Sequence, residues 1–225
     1  NCSADVVSST VPCSNKWMIG TVNSFFIGFI ATFIATTLGT LAALGLSRPH
    51  MPYKGLIMAI LISPMIVPLI ITAAGMFFFY ARINLVYSFT GIILAHVALA
   101  TPFVVITVTA TLVGFDMNMV KASQSLGARP VRTFFKVIMP LILPGVISGA
   151  LFAFITSFDE VVIVMFMASL DQLTIPKQMW AGIRQEISPV ILCMATCLVV
   201  LSILLLTTVE LLRRRSEKLR GITSR

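Results

Sequence analysis

The sequence predicts an all-α fold, a polytopic membrane bundle with five spans. Three observations carry this. The 225 residues are 58% hydrophobic and only 11% charged, where a soluble domain is about a quarter charged. Mean hydropathy is +1.01, so charge this sparse cannot cover a water-facing surface. The apolar residues also collect into stretches at 18–46, 55–80, 91–113, 141–168 and 189–211, parted by short polar segments, and about 20 such residues suffice to cross the hydrocarbon core. The isoelectric point near 9.8 does not indicate nucleic acid, because the basic residues punctuate apolar runs instead of forming a patch.

The opening segment, 1–17, is polar and rich in Ser and Thr. It begins at Asn1, and no charged-then-apolar leader pattern opens it; a further segment upstream is the expectation. Cys2 and Cys13 lie here, where an oxidising compartment would permit a disulfide. In the first span, Ala35, Gly39 and Ala43 recur every four residues, as Gly145 and Gly149 do in the fourth; small residues at that spacing let membrane helices approach closely. Ser63-Pro64 and Pro68 interrupt the second span and Thr101-Pro102 the third, while Pro140 and Pro144 begin the fourth. Each proline removes a backbone donor, so the kinks should face protein or a wet cavity. The fourth span is about 28 residues, or roughly 42 Å of helix, longer than the apolar core, and a break within it is expected. Cys193 and Cys197, one turn apart in the fifth, read as apolar packers and not metal ligands.

Charge between the spans gives a sidedness. Segment 47–54 holds Arg48 and Lys54; segment 114–136 holds Lys121, Arg129, Arg132 and Lys136 against Asp116; tail 212–225 holds six basic residues against Glu217. The alternate segments are balanced (1–17 and 169–188) or carry only Arg82 (81–90). Basic flanks stay in the cytoplasm, which puts the amino end outside and both the 114–140 loop and the basic tail inside. The run Arg213-Arg214-Arg215 is an anchor for that topology.

The 114–140 loop is built as a helix-turn-helix. Phe115 to Leu126 suits a short helix, and Gly127 suits the left-handed turn that ends one. Arg129-Pro130 restarts the chain, because the residue before proline disfavours helix while proline suits a first helical position. Val131 to Met139 then leads into the membrane. Ala122 and Ser123 are small and leave room for another surface, with Met117, Met119, Val120 and Leu126 as apolar anchors. The competing reading is an amphipathic connector lying on the membrane.

Asp159 and Glu160 sit inside the fourth span. Acids there are costly and face a bundle interior or wet cavity. Ser157-x-x-Glu160 before Val161–Met167 reads as a capping box that restarts a helix. That would satisfy Glu160 and leave Asp159 free.

The stretch Lys121-Ala122-Ser123-Gln124-Ser125-Leu126-Gly127, followed after nine intervening residues by Val137-Ile138-Met139-Pro140, resembles the cytoplasmic loop of bacterial ABC-importer permeases, the binding-protein-dependent family, with its pattern Glu-Ala-Ala-x3-Gly-x9-Ile-x-Leu-Pro. Ala122, Gly127 and Pro140 match; Ser123, Val137 and Met139 are conservative replacements. Gly149-Ala150-Leu151-Phe152-Ala153-Phe154, Ser157-Phe158-Asp159-Glu160, Leu173-Thr174-Ile175-Pro176, Ile187-Ser188-Pro189 and Asn23-Ser24-Phe25 resemble the second permease of spermidine/putrescine-type systems. The similarity runs over roughly 17–211. It implies a bacterial inner-membrane subunit with the family's first span absent. It implies a second permease, two ATPase subunits, with the loop docking in a cleft of the ATPase subunit, and a soluble substrate-binding protein. The cargo it implies is a small organic cation such as a polyamine; at least one of Asp159 and Glu160 is expected on the path, because acids within a span are costly and broken helices place substrate sites near the membrane midplane. Lys121 departs from the family's Glu, which alters the electrostatics of the docking surface.

No Gly-x4-Gly-Lys-Ser/Thr loop occurs in the sequence, so ATP and magnesium are expected in the partner and no cofactor in this chain. His50 and His96 stand apart from any nucleophile, with packing the expected role of His96, so a membrane enzyme has no visible constellation. An importer for an amino-acid derivative, opine or metal ion, and a self-sufficient channel or carrier, stay open as alternatives.

Overall fold

A computed structural model describes residues 13–48, 51–113, 117–169, 171–185 and 189–219. The described residues are helical, in the order α1 (Cys13–Leu46), α2 (Lys54–Ile66), α3 (Leu69–Arg82), α4 (Phe89–Val113), α5 (Met117–Ser125), α6 (Pro130–Thr133), α7 (Met139–Phe158), α8 (Val162–Met167), α9 (Ile175–Gln185) and α10 (Pro189–Leu219). A π-helical turn, Phe134–Ile138, joins α6 to α7, so Pro130–Phe158 is one shaft of 29 residues. The wider turn lies just before Pro140, whose ring would crowd the carbonyl four residues back in a regular α-helix.

Among the described residues four helices are long and apolar enough to cross a membrane: Lys16–Leu46, Phe89–Val113, Pro130–Phe158 and Pro189–Thr208. The stretch read as a second span, 55–80, is a broken pair, α2 and α3, bent by 103°. The break falls at Val67, which is extended at ψ 136°, because the residue before Pro68 disfavours helix. Pro64 leaves α2 intact: it cannot donate to the Ile60 carbonyl, and Ser63 Oγ donates to that oxygen instead at 2.8 Å, as membrane helices require.

The core forms around α4, which packs against α1 on one side and α7 on the other. Its buried residues include Ile92, Ala95, His96, Ala100, Val104 and Val108. The small residues are where the backbones meet. A Cβ on Gly39 would lie 2.7 Å from Val104 Cβ, and one on Gly149 would lie 3.0 Å from Val104 Cα. Gly145 closes in the same way on Thr111. A second apolar cluster seats α10: Phe25 and Phe29 of α1 meet Phe154 and Phe158 of α7, with ring centroids 5.0 Å apart for Phe25–Phe158 and 5.1 Å for Phe29–Phe154. Met194, Leu198, Leu201 and Leu205 pack against that cluster. Leu192, Val199, Ile203 and Leu204 of α10 are exposed. Cys193 and Cys197 are free thiols on its exposed surface.

One end of the bundle is tied by polar bonds. Asn23 Nδ2 donates to the carbonyls of Asp171 (3.2 Å) and Leu173 (3.0 Å), and the Ile175 amide donates to Ser24 Oγ (2.9 Å). The Tyr87 amide donates to Met167 O (2.9 Å), and buried Gln172 donates back to Tyr87 O (2.9 Å). The amino part of α1, the α3–α4 link and the α8–α9 link therefore share this end. α1 leads away from it and α3 leads back to it, so the bent pair makes one net passage.

Candidate functional site: a helix-turn-helix knob joined by a shaft to an acidic elbow

The knob begins with α5, which ends in two paired backbone bonds: Ala128 N–H to Ser123 O (3.1 Å) and Gly127 N–H to Gln124 O (2.9 Å). This is the Schellman pattern, and it requires a left-handed residue between them. Gly127 supplies it at φ +79°. Arg129 is extended and Pro130 opens α6, as the sequence predicts. Ser123 Oγ bonds Val120 O at 2.9 Å and pairs with Thr133 Oγ1 at 3.0 Å. Thr133 is buried, so the small residue at 123 clips α5 to α6 and is not simply empty space.

The knob's surface is apolar where nothing covers it. Leu126 is 89% exposed and Val131 70%, with Met119 and Phe135 exposed beside them. Lys121, Ala122, Gly127 and Pro140 are exposed, while Val137 and Met139 are half-buried at the root of α7. Single exposed apolar residues are ordinary; four within one short helix-turn-helix suit a surface for another protein.

At the far end of the shaft the two acids part. α7 stops at Phe158, with Asp159 as its cap residue and the Asp159 amide still bonded to Ile155 O (3.0 Å). The Asp159 side chain is exposed, whereas Glu160 is buried. Glu160 Oε1 accepts the Ile163 amide at 2.9 Å, satisfying one of the free donors at the start of α8. Ser157 is not the cap the sequence suggested. Its hydroxyl turns to α4 and bonds His96 Nδ1 at 2.8 Å. His96 is therefore tied to the elbow and not merely packed, and its Nε2 is buried without a partner among the described residues. Neither residue type signals this pairing, because 61 residues separate them.

Cys2 lies outside the described residues, as does His50, so the cysteine pairing has no geometry here. Among the described residues no group of three or more His, Cys, Asp and Glu could hold a metal. Lys177, on α9 outside the spans, donates to Ala168 O at 3.0 Å; burial pushes its amine below the usual lysine range.

Comparison with known proteins gives this architecture a place. The profile of the family described as "binding-protein-dependent transport system inner membrane component" matches residues 35–218. A spermidine/putrescine transport system permease protein, PotC, of Haemophilus influenzae is 31% identical over 196 residues, 87% of this chain and 76% of its own. A putrescine transport system permease protein, PotI, of Escherichia coli is 29% identical over 181 residues, 77% of this chain and 64% of its own. Among solved structures, an inward-facing MetNI methionine ABC transporter superposes with a TM-score of 0.64 at 19% identity, over 96% of this chain and all of that one. An amino acid ABC transporter superposes at 0.66 and 18%, over 90% and 94%; at these identities the likeness is one of fold. Two of the segments that suggested the family, Asn23-Ser24 and Leu173 to Ile175, are hydrogen-bonded to each other. The chain belongs to the binding-protein-dependent permease family of ABC importers.

Proposed function

We propose that this chain forms half of the translocation path of an ATP-driven importer for a small organic cation, a polyamine such as spermidine or putrescine. The observation that carries the substrate class is the 31% identity over most of the chain to a permease named for spermidine and putrescine. The exposed carboxylate of Asp159 at the elbow supports it, because a cation crossing the membrane needs charge compensation and membrane acids characteristically line such paths. Asp159 faces the cargo in this reading, and Glu160 shapes the elbow from within.

A second permease completes the path, and a soluble binding protein delivers cargo to the outer face. Two ATPase subunits drive the complex, and one of them docks on this knob, with Leu126 and Val131 as contact residues and Lys121, Ala122, Ser123, Gly127, Val137, Met139 and Pro140 forming its body. ATP and magnesium act in those subunits, and this chain catalyses nothing. The chain resides in the bacterial inner membrane with its amino end outside and its basic tail in the cytoplasm, an orientation supported by the uneven distribution of Lys and Arg.

The test is purification of the tagged chain from membranes of cells expressing the whole system, then reconstitution. An ATPase and a second permease should copurify, and vesicles should accumulate labelled spermidine or putrescine only with ATP and binding protein. Uptake by this chain alone would overturn the importer reading. Uptake of an amino-acid derivative, an opine or a metal ion in place of polyamine would overturn the substrate.

A further inference from the structure

The elbow residues are held from three directions within four positions. Ser157 is bonded to His96 of α4 at 2.8 Å. Phe158 is packed against Phe25 of α1, centroids 5.0 Å apart. Glu160 is bonded to the first turn of α8 at 2.9 Å. Asp159 alone of the four is exposed. A carboxylate between three fixed neighbours has its position set by them.

The three restraints are not equivalent. The Phe158 contact is non-directional, and the Glu160 bond ties the elbow only to a short helix that follows it. The Ser157–His96 bond reaches across to the central helix, where His96 is 2% exposed. It is directional, and it lies where no water competes for it. A ring nitrogen left without a partner at Nε2 is a standing cost of keeping this residue here, since unpaired buried polar groups are unfavourable. A leucine or phenylalanine would pack α4 against α7 without that cost. Packing therefore does not account for a histidine; the bond to Ser157 does.

We propose that His96 is a positioning residue for the elbow. Through Ser157 it fixes the end of α7 against α4, and so sets where the Asp159 carboxylate stands in the path. The inference rests on the reading of Asp159 as a path residue for its consequence in transport, but the positioning itself is measurable separately.

The experiment uses the complete importer, with every native cysteine of this chain replaced and a reporter thiol introduced by Asp159→Cys. The rate of labelling by a small charged thiosulfonate reads the elbow's position directly. His96→Leu and Ser157→Ala should each change that rate about fivefold or more, in the same direction, as loss of a bond of ordinary strength implies. His96→Asn, whose amide reaches the place of Nδ1, should restore it. In a matched set carrying native Asp159, His96→Leu should raise KM for polyamine with little change in maximal rate or in complex yield, and His96→Asn should return KM towards the parent value. Unchanged labelling in both variants, or a change that His96→Asn fails to restore, overturns the positioning role. Altered labelling with unchanged KM would retain the positioning role and refute the path role of Asp159.

Discussion

Replacing Gly127 with valine tests the left-handed turn of the knob. At φ +79° a β-carbon is disfavoured, by about 1–2 kcal/mol in the left-handed region, and branching makes valine the worst case. Among the described residues nothing lies within 4 Å of where that Cβ would stand, so the cost there is conformational. It falls on α5, nine residues long, too short to hold its helix unaided. Relief comes by opening the turn, which breaks the Ala128–Ser123 and Gly127–Gln124 bonds together. One to two kcal/mol shifts such an equilibrium about 5- to 30-fold. Coupled uptake per ATP hydrolysed, assayed in vesicles, should fall by that order for Gly127→Val. Gly127→Asn should stay within about threefold, because asparagine tolerates the left-handed region. Membrane insertion and copurification of the second permease should not change. Equal coupling in the valine and parent proteins, or an asparagine variant as impaired as the valine one, would refute the argument.

Gly39→Leu should destabilise the bundle by about 1–3 kcal/mol through overpacking, because its site is closed by Val104. Gly75→Leu, with open space around it, should be tolerated; thermal aggregation of the purified complex compares them. Glu160→Gln keeps an oxygen for the Ile163 amide and should leave that stability unchanged, whereas Glu160→Ala should lose about 1 kcal/mol. Asp159→Asn should weaken uptake of a cationic substrate while complex yield stays at the parent level; equal uptake at limiting substrate would remove the carboxylate from the mechanism.

Local chemistry made some features readable and distance hid others. Gly127 followed by Arg129-Pro130 specified both the end of one helix and the start of the next, since turn and restart signals act within a few residues. The four-residue spacing of Gly145 and Gly149 announced close approach, although not that α4 was the partner. The length of the fourth span and its acids pointed to a break, which falls at residues 159–161. The Ser157–Glu160 spacing suggested a capping box, but only Glu160 caps, because the hydroxyl finds a buried imidazole instead. That choice depends on where α4 lies. The prolines at 64 and 68 gave two candidate interruptions for the second span, and their spacing alone could not say that one would be bridged by Ser63 while the other turned the chain by 103°. The aromatic quartet around Phe158 and the Asn23 bonds are likewise products of packing between distant segments.

The unbroken run from Pro130 to Phe158 acts as a lever. Its 29 residues span about 43 Å at the α-helical rise. Tilting such an arm by about 5° about its knob end carries its tip through about 4 Å, the distance between two carbon atoms in contact. A movement at the knob too slight to count as a rearrangement there can thus make or sever a whole side-chain contact at Asp159.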